Sequence, residues 1–450
     1  MLKPDYLAQG RRVLDIERAA LAALHDSLDD QFGLACELML HCKGRVVVTG
    51  MGGVTSLGNS WDEISTRILA KENGVRLMPD WAVFNGLNTQ LGGPVPNFEL
   101  PDYYPRKKVR AMGLVAQFST RASELALIQA GLIDDPILTS GQTGIAFGSS
   151  VGSTPAIRDM ATMFEQHTTQ YIGGTTYLQM MPHTTAANTG LFFGIRGRLI
   201  PTSSTCTSGS QAIGYACEAI RYGKQQVMLA GGAEELCPSQ AAVFDTLRAT
   251  SQLNDQPHLT PKPFDLNRDG LIIGEGAAAL VLESLEHAQA RGAHIIAEIV
   301  GFGTNCDARH ITQPTEASMQ ACMEMALEDA GLPASAMDYI SAHGTATKIG
   351  DYAESRATNA LFGSTTPISS LKSYFGHTLG ACGAIEAWLT LEMQRAGWFA
   401  PTLNLNTPDP ACSEMDHIMH SPRELQTEYF QSNNFAFGGV NTSLVFKRWS

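Results

Sequence analysis

What the chain is short of narrows its class first. Its 450 residues contain no apolar run long enough to span a bilayer, and the N-terminus lacks a charged start followed by an apolar signal core. The expectation is a protein with no membrane span and no secretory leader. Long basic runs are missing too. Lys and Arg total 31 against 44 Asp and Glu, for a net charge of -13. That balance argues against a nucleic-acid partner. Among nine cysteines no two form a Cys-x-x-Cys pair, and the count is odd. Neither a disulfide framework nor a zinc site fits, so a reducing cytoplasm is the expected compartment. Charge is sparse, at 17% of residues against 44% hydrophobic. Such a chain can fill two or three cores, or one large two-part fold.

Two textures follow one another along the chain. In "LDIERAALAALHDSLDDQFGLACELMLHC", Leu14, Leu21, Leu24, Leu28, Phe32, Ala35 and Leu38 fall near helical spacing, which predicts that residues 1–44 are mostly helix. From "RVVVTGMGGVTSLG" onward, short apolar runs such as "TGIAFGSS", "GAAALVLES" and "AEIVGFGTN" alternate with helical segments. Alternation of this kind predicts α/β layers whose strands are buried on both faces. A faint echo links "CTSGSQAIGYACEAIRYGKQQ" with "GHTLGACGAIEAWLTLEMQRAG". Each is a small-residue turn leading into a helix, and each follows a Ser/Thr-rich stretch.

Two familiar patterns fail on inspection. "DLNRDGLIIGEG" starts like a calcium loop, but Gly276 stands at the twelfth position, where a bidentate Glu is needed, and Glu275 comes one place early. "GMGG" after "RVVVT" starts like a dinucleotide fingerprint, but Thr55 stands where its last small residue is needed.

Three polar islands carry candidate chemistry: "TSSTCTSGSQAIG" around Cys206, "SAHGTATKIGD" around His343, and "LKSYFGHTLGACGAIE" around His377. A helix starting after Cys206 would favour its thiolate through free N–H groups and the helix dipole. Each histidine neighbours a glycine just past a strand-like run, a common place for functional groups in α/β folds. Near the C-terminus, "SNNFAFGGVNTS" adds a glycine-hinged loop. Singly, each island has a plainer reading: a buried thiol, a hydrogen-bonded histidine, a β-turn.

Taken together and in this order, the islands resemble the condensing enzymes of the thiolase superfamily, specifically the beta-ketoacyl-[acyl carrier protein] synthases of type I and II. The similarity runs over about residues 45–450 and also includes "RVVVTGMG" and "KPFDLNRDGLIIGEGA". It implies a thiolase-like α/β fold of two related halves in five layers, 45–295 with the nucleophile and 296–450 with the histidines. The implied reaction is decarboxylative Claisen condensation of an acyl thioester with malonyl-ACP, in fatty acid, aryl polyene or polyketide elongation. No cofactor is implied beyond the phosphopantetheine that the acyl carrier protein brings.

By the same resemblance, Cys206 is the acylated nucleophile, and His343 and His377 stabilise the enolate left by decarboxylation. Backbone N–H groups of Cys206 and Phe437 form the oxyanion hole. Lys372 matches the family's active-site lysine, paired with Glu354. Thr345 and Thr347 match residues on the pantetheine arm, Phe437 a gate, and Phe244 a wall of the acyl pocket. Arg106, Lys107, Lys108, Arg110 and Arg248 match the face that docks the acidic carrier protein. Glu386, Ser432 and Asn433 match positions around a structural monovalent cation in some members, although Ser341 replaces the Asn those members carry. The partners implied are the carrier protein and a second subunit, as a homodimer or a heterodimer with a similar chain. Two rival readings are a non-decarboxylating thiolase, against which no cysteine stands in "NNFAFGG", and a non-catalytic chain-length factor, against which Cys206 stands. Residues 1–44 lie outside this pattern. They resemble the start of a sugar-phosphate isomerase with a SIS domain, but the Ser-rich phosphate loop such an enzyme needs is missing. The expectation is a helical appendage without isomerase activity.

Overall fold

The structure is a computed structural model that describes residues 5–34 and 44–450. The chain divides into two compact units, Met1–Gly44 and Arg45–Ser450. In the first, helix α1 (Tyr6–Ser27) starts at Asp5, whose carboxylate accepts the N–H groups of Leu7 and Ala8 at 3.1 and 3.0 Å. Ala35 and Leu38 of the expected helical stretch lie outside the described residues. No described helix is long and apolar enough to cross a membrane.

The second unit is built on one sheet of eleven strands among the described residues. In chain order they are β1 (Val46–Val54), β2 (Thr143–Gly148), β3 (Leu199–Thr202), β4 (Val227–Glu234), β5 (Gly276–Ser284), β6 (Ala297–Cys306), β7 (Tyr339–Ser341), β8 (Pro367–Ser369), β9 (Asp416–His417), β10 (Tyr429–Phe435) and β11 (Val440–Arg448). Across the sheet the order is β9-β8-β7-β10-β11-β6-β1-β5-β4-β2-β3. Numbered from its own first strand, each half therefore reads third, second, fourth, fifth, first, with β9 added outside the second. The directions repeat as well. β2 pairs parallel with β3 and β4, and β7 pairs parallel with β8 and β10; the remaining pairs within each five-strand set are antiparallel. The halves join where β1 meets β6, also antiparallel.

Helices repeat the pattern. α2 (Leu114–Ala130) covers the outer face of the first half and α4 (Glu316–Ala330) that of the second, while α3 (Ser208–Arg221) and α6 (Cys382–Ala396) pack on each other between the half-sheets. The resulting layers run α-β-α-β-α. Strand residues alternate between cores: Ile145 and Phe147 face the outer core with α2, and Ala146 faces the inner core with α3 and α6. Burial on both faces explains why these strands read as continuous apolar runs rather than alternating ones.

The two patterns set aside in the sequence have structural employment. Gly50 of "GMGG" lies within β1, where a methyl group would collide with the carbonyl of Ala126 on α2. Gly301 on β6 makes the same close approach to Ala326 on α4. In "DLNRDG", Asp265 accepts the backbone N–H groups of Asn406 and Thr407 at 2.8 and 2.9 Å, and Arg268 is buried against Asp351 and Asp409.

Candidate active site

In each half a sharp turn leads into the inner helix, and the candidate residues lie on or near these turns and at the end of β7. In the first half, Thr205 takes a left-handed conformation, φ 54°, rare for a β-branched residue. A single 3-10 turn, Thr205–Thr207, then leads into α3. Hydroxyls lock this elbow. Ser204 N–H donates to Ser208 Oγ at 3.0 Å, and the Thr207 and Ser208 hydroxyls donate to the carbonyls of Ser204 and Thr205, both at 2.8 Å. The small polar residues around Cys206 thus hold a strained turn together. Gly209 lets the helices close, because a Cβ there would come 2.9 Å from Ala384 N on α6.

Cys206 is 4% exposed. Burial pushes its thiol up to about 11, against the lowering pull of the Lys372 charge and of the backbone N–H groups of Phe437 and Cys206 itself. The expectation of a resting thiolate is therefore corrected: desolvation outweighs the helix start, and the sulfur rests protonated near neutral pH.

His377 lies 3.0 Å from the Cys206 sulfur through Nε2. Its backbone is bonded to Ile272 and Gly274, and its Nδ1 accepts the Leu379 N–H at 3.2 Å. With Nδ1 accepting, the proton belongs on Nε2, aimed at the sulfur. His343 follows β7. Its Nδ1 faces two donors, Lys372 Nζ at 3.1 Å and Asn434 Nδ2 at 3.4 Å, so its Nε2 also carries the proton. The two rings stand edge to face with centroids 5.3 Å apart. Burial, and then the charge of Lys372, hold both histidines well below their ordinary pKa, so both are neutral N–H donors. Among the described residues, one ligand-type atom from each of Cys206, His343 and His377 lies within 4.8 Å of the other two.

Lys372 differs from its expected pairing. Its ammonium bonds Glu386 Oε1 at 2.5 Å, not Glu354. Burial disfavours the ammonium, but Glu386 holds it above its ordinary pKa. Glu354 instead spends one oxygen on each of the His343 and Gly344 N–H groups, both at 2.7 Å, and so fixes the backbone that carries the histidine. Two of the positions expected around a cation, Glu386 and Asn433, make hydrogen bonds within the protein. The oxygens of Glu386 go to Lys372 and Asn434, while Asn433, on the opposite face of β10, points its amide at Met323 and Ser443. Successive strand residues face opposite sides, so Asn433 turns away from the side on which Asn434 meets Glu386.

A cavity of about 610 Å³ opens over this cluster and is lined by Cys206, His343, His377, Phe244, Phe437, Thr345, Thr347, Glu354 and Arg248, among others. Phe437 and Phe244 stack with centroids 5.2 Å apart. Gly438 and Gly439, at φ 85° and 72°, hinge the loop behind Phe437. Thr347 caps helix α5 (Lys348–Phe362) by accepting the Gly350 N–H, and its hydroxyl meets that of Thr345 at 2.9 Å. Of the expected docking residues, Arg248 lines the cavity. Arg106, Lys107, Lys108 and Arg110 do not; Lys108 instead lies over the Phe192 ring. Sequence reasoning missed Asn434, Asp351 and Arg268. Asp351 receives the N–H groups of Thr345 and Ala346 at 2.9 and 3.1 Å, and Arg268 supports it.

Comparison with known proteins gives concordant findings. Residues 43–288 match the family model "Beta-ketoacyl synthase, N-terminal domain", and residues 296–406 match "Beta-ketoacyl synthase, C-terminal domain". The chain is 35% identical over 413 residues to the 3-oxoacyl-[acyl-carrier-protein] synthase 2 of Vibrio harveyi, covering 90% of this chain and 99% of that one. A crystal structure of a beta-ketoacyl synthase from Burkholderia phymatum STM815 superimposes with a TM-score of 0.90 at 58% identity, over 90% of this chain and all of that one. A type II PKS acyl-carrier protein in complex with its ketosynthase bound to the hexaketide (AntDE:AntF) gives 0.79 at 31% identity, over 91% of this chain and 100% of that one.

Proposed function

The chain belongs to the beta-ketoacyl synthase family, and from that premise we propose that Cys206 carries the acyl group while His343 and His377 drive decarboxylation of the extender. The overall reaction is condensation of an acyl thioester with malonyl-ACP, within fatty acid or polyketide chain elongation. The observation that supports the residue roles is the convergence of one buried thiol with two neutral imidazoles whose N–H groups face the same cavity.

In the first half-reaction the Cys206 sulfur attacks the acyl thioester carbon, and the thiol proton leaves with the departing pantetheine sulfur. Negative charge developing on the sulfur is met by His377 Nε2–H and by Lys372. Malonyl-ACP then loses carbon dioxide. The electron pair of the broken C–C bond becomes an enolate whose oxygen lies between the two Nε2–H donors. Preorganised donors in a dry site are worth about 3–4 kcal/mol each toward such a charge. The enolate carbon attacks the acyl-Cys206 carbonyl, whose oxyanion faces the N–H groups of Cys206 and Phe437. Collapse expels the Cys206 thiolate, which takes up a proton, and releases the beta-ketoacyl-ACP.

The same reading divides the body into halves 45–295 and 296–450. Phe437 and Phe244 gate the acyl channel, Thr345 and Thr347 hold the pantetheine arm that the carrier protein supplies, and no further cofactor is needed. Arg248 at the cavity and the basic turn Arg106–Arg110 receive the acidic carrier, as electrostatic complementarity would favour. We assign the protein to the cytoplasm on the strength of its free thiols. For the second subunit we favour a copy of this chain or a similar one on the edge strand β3, beside exposed Leu191 and Leu199. A purely non-catalytic role would leave the Cys206 constellation without a purpose. The direct test is intact-mass analysis with an acyl-ACP. The enzyme gains one acyl unit and Cys206→Ala gains none; an equal adduct on the variant would refute the assignment.

A further inference from the structure

Asn434 has no role in the steps above, yet it sits where their supports meet. It is wholly buried on β10, and strand alternation places it opposite Asn433. Its Nδ2 donates to Glu386 Oε2 at 2.7 Å and stands 3.4 Å from His343 Nδ1 and 3.7 Å from Cys382 Sγ. Its Oδ1 has no hydrogen-bond partner. That oxygen lies over Gly383 of α6, where an added Cβ would come 2.5 Å from it. Flipping the amide would set its oxygen against the Glu386 carboxylate, so the orphaned acceptor is the consequence of keeping the donor where it is.

We propose that Asn434 is a positioning residue for the decarboxylation half-reaction, which holds the Nδ1 side of His343 as an acceptor and anchors the carboxylate that anchors Lys372. The proposal rests on the reading of His343 as a donor to the enolate oxygen. An imidazole has one proton to place when neutral. Two donors facing Nδ1 force that proton onto Nε2, which faces the cavity. Lys372 alone is a weak guide, because its ammonium sits on a flexible four-carbon stem. The amide is planar and fixed to a central strand. By gripping Glu386 Oε2 it also fixes Oε1, and hence the direction from which Lys372 approaches the ring. Gly383 completes the device by leaving room for the amide.

The test uses the full-length enzyme with malonyl-ACP and acyl-ACP assayed separately. For Asn434→Ala we expect decarboxylation turnover to fall about 10-fold, with KM for malonyl-ACP changed less than about twofold and Cys206 acylation retained. The acid limb of the decarboxylation profile should move to higher pH. A ring that has lost a donor at Nδ1 binds a proton there more readily, and the protonated ring then opposes the Lys372 ammonium. Asn434→Ser returns a donor on a shorter arm and should recover part of the turnover; it carries the test if the alanine variant does not fold. Equal losses in acylation and decarboxylation, or an unmoved acid limb, would overturn the proposal and leave Asn434 a packing residue. Should His343→Ala itself decarboxylate normally, the underlying role of His343 fails instead.

Discussion

The two halves of the body share a plan and differ in what they carry. Each enters its inner helix through a 3-10 turn after its third strand, in the second half by way of the short helix Lys372–Phe375, and each makes that turn on a non-glycine residue in the left-handed region: Thr205 at φ 54° and Leu379 at φ 44°. In the first half the next residue is Cys206, and local hydroxyls hold the elbow. In the second half the next residue is Gly380, whose N–H is held at 3.1 Å by Glu234 from the first half. There the chemistry has moved off the elbow, upstream to Lys372 and His377 and downstream to Glu386. The shared plan places two strained turns beside each other at the inner layer, one ahead of each inner helix. The first carries the buried Cys206 thiol, and the second half brings two neutral imidazoles and the buried Lys372 ammonium to it. Strain of about 1–3 kcal/mol at such residues persists only where surrounding bonds over-determine it, as they do at both turns.

That division of labour can be broken from either side. The largest effect is expected from the second half. His343→Ala should cut carbon dioxide release from malonyl-ACP by about 10²- to 10³-fold while acyl transfer to Cys206 continues, as read by radiolabelled carbon dioxide and intact mass. Next, Lys372→Met removes the cation that lowers the Cys206 pKa. The thiol should then rise further above about 11. At fixed pH, iodoacetamide should label Cys206 more slowly, about tenfold for each unit of rise, since only the thiolate reacts. Labelling at the wild-type rate would mean that the second half exerts no pull on the nucleophile. The smallest effect is expected at the rim. Arg248→Glu should raise KM for acyl-ACP several-fold, most strongly at low salt, and leave a small acyl-pantetheine thioester unaffected.

Much of this was legible in the chain before its fold. Cys206, His343, His377 and the Phe437 loop each lie in a contiguous motif, so their neighbours in sequence announce them. The echo between the two helix starts was visible because Gly209 and Gly383 must stay small where α3 and α6 touch. The partners of Lys372 were not legible. Whether a buried ammonium meets Glu354 or Glu386 depends on which carboxylate already serves backbone N–H groups, and only the folded turn Ala342–Gly344 decides that. Asn434 was illegible for a related reason. Its significance is contact with Glu386 and His343, 48 and 91 residues away, and nothing local distinguishes it from Asn433 except the parity of the strand. The thiolate expectation failed because helix-start arguments count donors, whereas burial sets the cost of the charge.

On the residue roles proposed above, decarboxylation belongs to the second half and needs no thiol from the first. Cys206→Gln incubated with malonyl-ACP tests it most directly. Continued release of carbon dioxide and accumulation of acetyl-ACP are expected, with no condensation product when acyl-ACP is added. Loss of carbon dioxide release together with condensation, in a variant whose thermal melting is unchanged, would contradict it.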